Sequence, residues 1–423
     1  MSCDAGLSWF PEFPLPSYDK WNLPSARSMI RNTICRMSMH ARWWINDPDC
    51  MLLRRSTTFT DEEIIGIATV KAMCGGSFIL SDDLSVVSED RVRIAQQLLP
   101  ATNLSAQAVD LLDSETPELL RLRLGLADGS DVLGSGPVEV VKSMGSWTVL
   151  AACNWSEEAK SHRVSLSSCL GSESFADILA LAESGAAEGP VLVHIFDFWT
   201  LEYSNVVLGD SGGLADNAAQ AVLHFPPVSP HSARIFALRV QDYHLQSLPM
   251  YIGSNLHFSC GLEVASFTVV SCLTPANGAP VDNGSVAATD TNTLDEDSQM
   301  MATATRSWSC KVVFEEGAVR DRAWGGFIWL FLPVEALHPL SLTGSAVSSV
   351  RAKGARSAVA SLVVPLSGKR GTVFKFAVGR DFATDPLLEA GPTSTLVISW
   401  TDTSLRQAVE EESLRRGNVV FRS

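Results

Sequence analysis

Arg42-Trp43-Trp44-Ile45-Asn46-Asp47-Pro48-Asp49-Cys50 sets two carboxylates, one residue apart, directly after a short apolar run that carries two tryptophans. The run predicts a buried strand over residues 43–46 that ends at those acids. Carboxylates at the mouth of a buried strand, beside indole rings, suit a sugar. They accept hydroxyl hydrogen bonds or do acid/base work, and aromatic faces cover the apolar side of the ring. Asn, Asp and Pro are also ordinary turn formers, so composition alone reads the same letters as a strand followed by an Asx turn.

The flanking sequence favours the first reading. Upstream, Ala26, Met29, Ile30, Thr33, Ile34 and Met37 have the spacing of an amphipathic helix over 24–41, opening at Asn22-Leu23-Pro24. Downstream, Thr60-Asp61-Glu62-Glu63 reads as the capping box of a helix that runs to Cys74 and stops at Gly75-Gly76. A second apolar run, Phe78-Ile79-Leu80, ends in Ser81-Asp82-Asp83-Leu84. A third helix starts near Ser88, carries Glu89 and Asp90 in its first turn and stops before Pro100; Asp82 and Asp83 read as its caps. Helix, strand, helix, strand, helix, with both strands ending in acids, is the wiring of an α/β barrel whose site lies at the strand C-termini.

After Pro100 the texture changes to short strands. Leu120-Arg121-Leu122-Arg123-Leu124 alternates with period two, and 147–155, 191–199 and 233–240 are further strand candidates. An all-β sandwich is the natural reading, with 177–187 as a helix or loop. Residues 275–301 are small, polar and acidic, a disordered insertion. Beyond it, 311–315, 323–333, 361–366, 372–378 and 395–400 are again strand-like, and 405–416 reads as a charged helix. Trp324-Gly325-Gly326-Phe327-Ile328-Trp329 reads as a packed core strand before it reads as a carbohydrate-binding strip. The expected division is therefore 1–100, an α/β portion; 101–274, a β-sandwich; 275–301, the insertion; and 302–423, further strands of the sandwich or a small appended β domain.

Composition excludes several functions. Lys plus Arg number 32 against 47 acids, a net charge of −15, which disfavours nucleic acid and anionic membranes. The longest apolar stretch, 327–337, is too short to span a bilayer and contains Pro333. Nine cysteines without a Cys-x-x-Cys spacing read as reduced, buried thiols rather than a zinc site. The eight histidines include no His-Glu-x-x-His, and His194 and His257 read as satisfied core residues. Gly75-Gly76 and Gly212-Gly213 lack the Lys-Ser/Thr of a phosphate loop. No metal and no cofactor are expected. The polar N-terminus is not a signal peptide, and the expected location is soluble and cytoplasmic, with the true N-terminus missing.

The sequence resembles the α-galactosidases of glycoside hydrolase family 36, the melibiases. The resemblance is carried by Arg31-Asn32-Thr33, by Met39-His40-Ala41-Arg42-Trp43-Trp44-Ile45-Asn46-Asp47-Pro48-Asp49-Cys50, and by Gly75-Gly76-Ser77-Phe78-Ile79-Leu80-Ser81-Asp82-Asp83-Leu84. His194-Ile195-Phe196-Asp197-Phe198-Trp199, Pro230-His231-Ser232-Ala233-Arg234 and Tyr251-Ile252-Gly253-Ser254-Asn255-Leu256-His257 continue it, in family order, over residues 1–270.

The resemblance implies a retaining enzyme built as a (β/α)8 barrel followed by a β-sandwich domain. It implies a nucleophilic Asp in a Lys-x-Asp motif on the fourth barrel strand and an acid/base Asp in an Arg-x-Ser/Gly-x-Asp motif at the end of the sixth. Met1-Ser2-Cys3-Asp4-Ala5 matches the second motif without its arginine, which assigns the acid/base to Asp4. Asp49 and Cys50 match positions that contact galactose; Asp47 braces the loop, and Trp44 points toward the site or the barrel interior. The Lys-x-Asp strand has no counterpart here. The expected molecule is thus the C-terminal remnant of a (β/α)8 barrel, residues 1–100, ahead of a β-sandwich. Its nucleophile is absent and it is inactive alone, because retention needs two carboxyl groups roughly 5–5.5 Å apart. Expected partners are an α-galactoside oligosaccharide and either a complementary N-terminal barrel half or a second copy. Two alternatives stand beside it: a galactosyl transfer enzyme of the raffinose-synthase type, and a non-catalytic carbohydrate-binding or assembly remnant.

Overall fold

A computed structural model describes residues 6–10, 24–125, 131–133, 138–142, 144–183, 190–209, 213–241, 249–274, 305–314, 326–334, 351–353, 358–366, 369–378 and 395–401. Asp4, the 275–301 insertion and the 405–416 helix lie outside the described residues. The chain, of mixed helix and strand content, falls into two units. One comprises Met1–Ala127, Ser146–Ser247 and Ile252–Glu263; the other comprises Asp128–Gly145, Leu248–Tyr251 and Val264–Ser423.

In the first unit, α1 (Ala26–Arg36) is capped by Ser25, whose hydroxyl accepts from the Ser28 N–H, rather than at Asn22. It buries Ala26, Met29, Ile30, Thr33 and Ile34, the predicted face, and tightens into a 3-10 turn at Met37–Met39. The strand β1 (Cys50–Met51) leads to α2 (Asp61–Met73). The capping box forms as expected: the Glu63 N–H donates to Thr60 Oγ1 at 3.1 Å, and the Thr60 N–H donates to Glu63 Oε2 at 2.9 Å. Ile64, Ile67, Ala68, Val70, Ala72 and Met73 are all buried, so beyond its exposed first turn α2 is largely apolar and covered on every face. It crosses over to β2 (Ile79–Leu80), which pairs parallel with β1, and α3 (Glu89–Gln97) follows from Ser88.

The predicted strand at 43–46 does not form. Its backbone bonds are spent locally: the Arg42 and Trp43 N–H groups both donate to the Met39 carbonyl, and Ala41 N–H donates to the Trp44 carbonyl at 2.8 Å. The chain turns there, with Ala41 left-handed at φ +57, and β1 begins only at Cys50. Asp47 and Asp49 therefore precede β1 instead of ending a strand, whereas Asp82 and Asp83 do follow β2.

Next come β3 (Gln107–Ala108), β4 (Leu119–Leu124), and β5 (Asp131–Leu133) with β6 (Val138–Lys142), the latter two belonging to the second unit. The first unit resumes with β7 (Trp147–Asn154), β8 (Lys160–Ser165), α4 (Leu166–Leu170), α5 (Ser172–Glu183), β9 (Val191–Asp197), β10 (Tyr203–Leu208), α6 (Leu214–Gln220), β11 (Val222–Val228) and β12 (Ser232–Gln241). Six strands form one antiparallel sheet in the order β10-β9-β12-β7-β4-β3, and β11 pairs separately with β8. The β11–β8 register shifts between Phe225 and Val228, where Pro226 and Pro227 have no N–H to give the ladder. Every residue of β7 and β9 is buried, which is why both read as continuous apolar runs rather than alternating ones. One core gathers Leu150, Val193 and Phe236 from the sheet, Val164 and Phe225 from the β8–β11 pair, and Leu166 and Ile178 from the helices. Helix α2 packs against β12 so closely that a Cβ on Gly66 would meet the His231 carbonyl oxygen at 2.5 Å.

Beyond β13 (Met250–Ser254), the second unit holds β14 (Val264–Thr274), β15 (Thr305–Phe314), β16 (Gly326–Val334), β17 (Arg351–Lys353), β18 (Ala358–Leu366), β19 (Lys369–Val378) and β20 (Thr395–Thr401). Strands β17-β20-β15-β14-β6-β5 make one antiparallel sheet, and β16, β19 and β18 pair in another. Trp329 is buried in β16 between Ile328 and Leu330, as a core strand requires. Among the described residues, no helix is long and apolar enough to cross a membrane.

His194, buried at the centre of β9, contacts Tyr203 Oη at 2.8 Å through Nδ1 and Gln241 Oε1 at 3.0 Å through Nε2. His257 is likewise bonded at both ring nitrogens, to Ser259 Oγ and the Pro100 carbonyl. Burial pushes His194 down to about 4 from an ordinary 6.5, so the fold holds the neutral ring. A histidine depressed in the folded state contributes stability above pH 6.5 and loses it as pH falls through 6.5 toward 4. The loss should reach on the order of 3 kcal/mol. Urea unfolding at pH 7, 5.5 and 4.5 should show this decline, and His194→Gln should flatten it; an equal slope in the variant would place the acid sensitivity elsewhere.

Candidate functional site

Asn46 is the hub of the acidic loop. Its Nδ2 donates to the Met37 carbonyl at 3.2 Å and to the Cys74 carbonyl at 3.0 Å, joining the end of α1, where the 3-10 turn starts, to the end of α2. Its Oδ1 accepts from Trp44 Nε1 at 3.0 Å, its N–H donates to His40 Nδ1, and its carbonyl accepts from Ser77 N–H at 2.9 Å. The two glycines after α2 make room for this. Gly75 is left-handed at φ +68, and a Cβ on Gly76 would land on the Asn46 carbonyl.

The carboxylates follow directly. Asp47 Oδ1 accepts from the Asp49 N–H at 3.1 Å, so Asp47 braces the turn. Asp49 is left-handed at φ +65, rare for a residue with a Cβ, and its Oδ1 accepts from the Cys50 N–H at 2.7 Å. Beneath them, Lys71 of α2 donates from Nζ to the Pro48 carbonyl at 2.5 Å and the Asp49 carbonyl at 2.7 Å. Burial pushes its ammonium down to about 8. The Cys50 thiol is raised, first by burial and then by its bond to the Asp49 side chain, so it stays a thiol at neutral pH.

Trp44 is half-buried, with its indole turned to Asn46; Trp43 meets it edge-on at 6.4 Å and is 78% exposed. The open aromatic face at this loop is therefore that of Trp43, with Ile45 beside it in the chain and Ile79, opposite Cys50 on β2, also exposed.

Asp82 does not cap α3. Its side chain is buried, accepting from the Leu53 N–H and from Arg54 at 2.8 Å, and so anchors the segment after β1. Asp83 is exposed and held below the ordinary carboxylate range by hydrogen bonds from Ser85. The structure thus brings together Trp44, Asp47, Asp49 and Cys50 of the expected set, while Asp4 is outside the described residues. Sequence reasoning missed Lys71 and Trp43. A lone lysine in the otherwise apolar stretch 64–73 was the available signal for the first. Carboxylates only accept hydrogen bonds, so a loop presenting two of them beside an exposed indole is equipped for hydroxyl donors on a flat, partly apolar ligand.

No protein-family model matches the chain. Among solved structures it is similar to alpha-galactosidase I from Mortierella vinacea, at 13% identity over 56% of this chain and 51% of that one, with a TM-score of 0.32. It is also similar to the α-galactosidase from Saccharomyces cerevisiae with raffinose (14% identity, 57% of this chain, 59% of that one, TM-score 0.33). A third is a GH27 β-L-arabinopyranosidase from Geobacillus stearothermophilus (15% identity, 50% of this chain, 40% of that one, TM-score 0.28). The chain spans about half the length of the solved enzymes it matches. Overlaps this shallow establish neither fold nor activity.

Asn46→Ala removes donors from two buried carbonyls and an acceptor from an indole. It should lower stability by about 2–3 kcal/mol, well beyond an exposed polar change. The urea midpoint measures this, and the Trp44 emission should shift with it; an unchanged midpoint would show that the loop is held by other contacts.

Proposed function

We propose that this chain carries the sugar-contacting loop of an α-galactosidase-type glycoside hydrolase, acting on terminal α-galactosyl residues of oligosaccharides with retention. The observation that carries the reading is the Asp47-Pro48-Asp49-Cys50 loop itself. It is pinned by Asn46 and Lys71, held in a left-handed turn at Asp49, and flanked by an exposed tryptophan. That geometry is added to the resemblance of residues 1–270 to family 36.

In this reading Asp49 and Cys50 contact the sugar, Asp47 braces the loop, Trp44 supports it and Asp4 is the acid/base. Residues 1–100 are the closing portion of a (β/α)8 barrel, and 101–274 are its β-sandwich. The nucleophile comes from barrel strands this sequence does not contain, on a complementary half. Among the described residues β1 and β2 pair only with each other. A two-stranded parallel sheet is marginal alone, and parallel sheets are found with both faces covered. Trp43, Ile45 and Ile79 beside that pair are exposed, as strands awaiting neighbours would leave them.

The test is binding, since hydrolysis is not expected of the chain alone. Calorimetry or ligand-observed NMR should detect methyl α-galactoside, with methyl α-glucoside weaker. Asp49→Ala should weaken the galactoside at least tenfold, the value of a lost hydrogen bond to a charged acceptor. Equal binding of the two sugars, or an unaffected variant, removes the galactoside reading.

A further inference from the structure

Lys71 is out of keeping with its surroundings. It lies on α2 among Val70, Ala72 and Met73 and is only 4% exposed, in a place where a methionine would fit the pattern. Its Nζ bonds are to two backbone carbonyls, of Pro48 and Asp49, rather than to a carboxylate. The charged or titratable groups facing it are Asp47, Asp49 and Cys50 from the loop and β1, and Cys74 from its own helix.

We propose that Lys71 is a positioning residue: its two bonds to consecutive carbonyls hold Asp49 in the left-handed backbone that aims the Asp49 carboxylate. The inference rests on the sugar-binding reading of that loop. Two unfavourable features meet at one pair of carbonyls. A left-handed backbone is a cost for any residue with a Cβ, and glycine at 49 would relieve it. An ammonium shut away from water is a second cost, and an apolar residue at 71 would relieve that one. Neither is needed to pack α2, whose other buried positions are apolar or glycine except for Glu63 and Thr69. Paired costs of this kind, beside two aspartates, mark a place where geometry serves a site.

The depressed lysine fixes the sign of the pH response. Its folded value of about 8 lies below the ordinary 10.5, so the folded state releases this proton first. Its contribution to stability is therefore greatest above pH 10.5 and is lost as pH falls through 8. The grip on the carbonyls runs the other way: it is strongest below pH 8, where the ammonium is charged. Raising pH from 7 to 9.5 should thus stabilise the fold and loosen the loop together. A residue serving only as an anchor does not produce that divergence.

The experiment compares the full chain with Lys71→Met and Lys71→Arg. Three readouts are needed: the urea midpoint, hydrogen–deuterium exchange of a peptide covering residues 47–52, and affinity for methyl α-galactoside from pH 6.5 to 9.5. Lys71→Met should unfold at or above the wild-type midpoint and should exchange at least tenfold faster in that peptide. It should bind the galactoside at least tenfold more weakly, with no inflection near pH 8. Lys71→Arg, which keeps the cation, should restore part of the protection. A lowered midpoint with unchanged exchange at 47–52 makes Lys71 an anchor and overturns the proposal, as does galactoside affinity unaltered by Lys71→Met. If the wild type binds no galactoside while exchange behaves as stated, the sugar reading fails and the positioning role stands.

Discussion

The Asn46 carboxamide donates to the Met37 and Cys74 carbonyls and accepts from the Trp44 indole, and the acidic loop exists as a defined surface only because those bonds are made. Both carbonyls lie at helix C-caps, and that of Met37 also accepts from the His40 N–H and from Ser105 Oγ. One side chain thus ties the end of α1 to the end of α2. The neighbouring glycines are required for the same reason, since Gly76 must approach the Asn46 backbone more closely than any Cβ allows. Everything downstream inherits its position from this joint: Asp47 folding back on the Asp49 N–H, and Asp49 on the Cys50 N–H.

Helix α2 extends the constraint from the loop to the sheet. At its start, Glu63 caps the helix through Oε2 and meets His231 Nδ1 at 3.1 Å through Oε1. The other ring nitrogen of His231 lies 3.1 Å from Glu157, and its face stacks on Trp9 at 4.2 Å. At mid-helix Thr69 accepts from the Trp199 indole, and near the end Lys71 reaches the loop. A helix exposed on one side could not serve three directions. Its burial on every face is what allows Glu63, Thr69 and Lys71 to grip neighbours in all of them, and Lys71 is the one cation among its buried positions.

How much of this was legible follows from how local each signal is. The Thr60–Glu63 capping box and the alternation of Leu119–Leu124 are written within a few residues, and both appear where expected. The strand over 43–46 was misread because its fate is decided by partners outside it: Met39 takes the Trp43 N–H, and the Asn46 side chain is claimed by Cys74, 28 residues away. Asp82 was misread in the same way, since its partners at Leu53 and Arg54 come from another turn of the chain. Lys71 was missed because the carbonyls it holds lie 22 and 23 residues earlier in the chain. Short-range grammar gives elements; it does not give the long-range polar bonds that turn a loop into a site.

On the proposed reading, what this loop supplies is orientation more than bond-breaking. Retention needs a nucleophile and an acid flanking one anomeric carbon, and neither Asp47 nor Asp49 is assigned to either role. An acceptor locked in place is useful in a different way. A sugar whose hydroxyl points at it gains a charge-assisted hydrogen bond, whereas an epimer pointing elsewhere leaves the acceptor desolvated and unpaired. The second case is penalised more heavily than the first is rewarded. Discrimination of that kind fails if the acceptor can swing to follow the wrong hydroxyl. Stiffness is then the property that matters, and it accounts for why a left-handed aspartate and a buried lysine are both tolerated beneath a surface loop. The Lys71 bonds to the Pro48 and Asp49 carbonyls keep Asp49 from adapting despite those costs, and a carboxylate that does not adapt can tell one ring substituent from its mirror position.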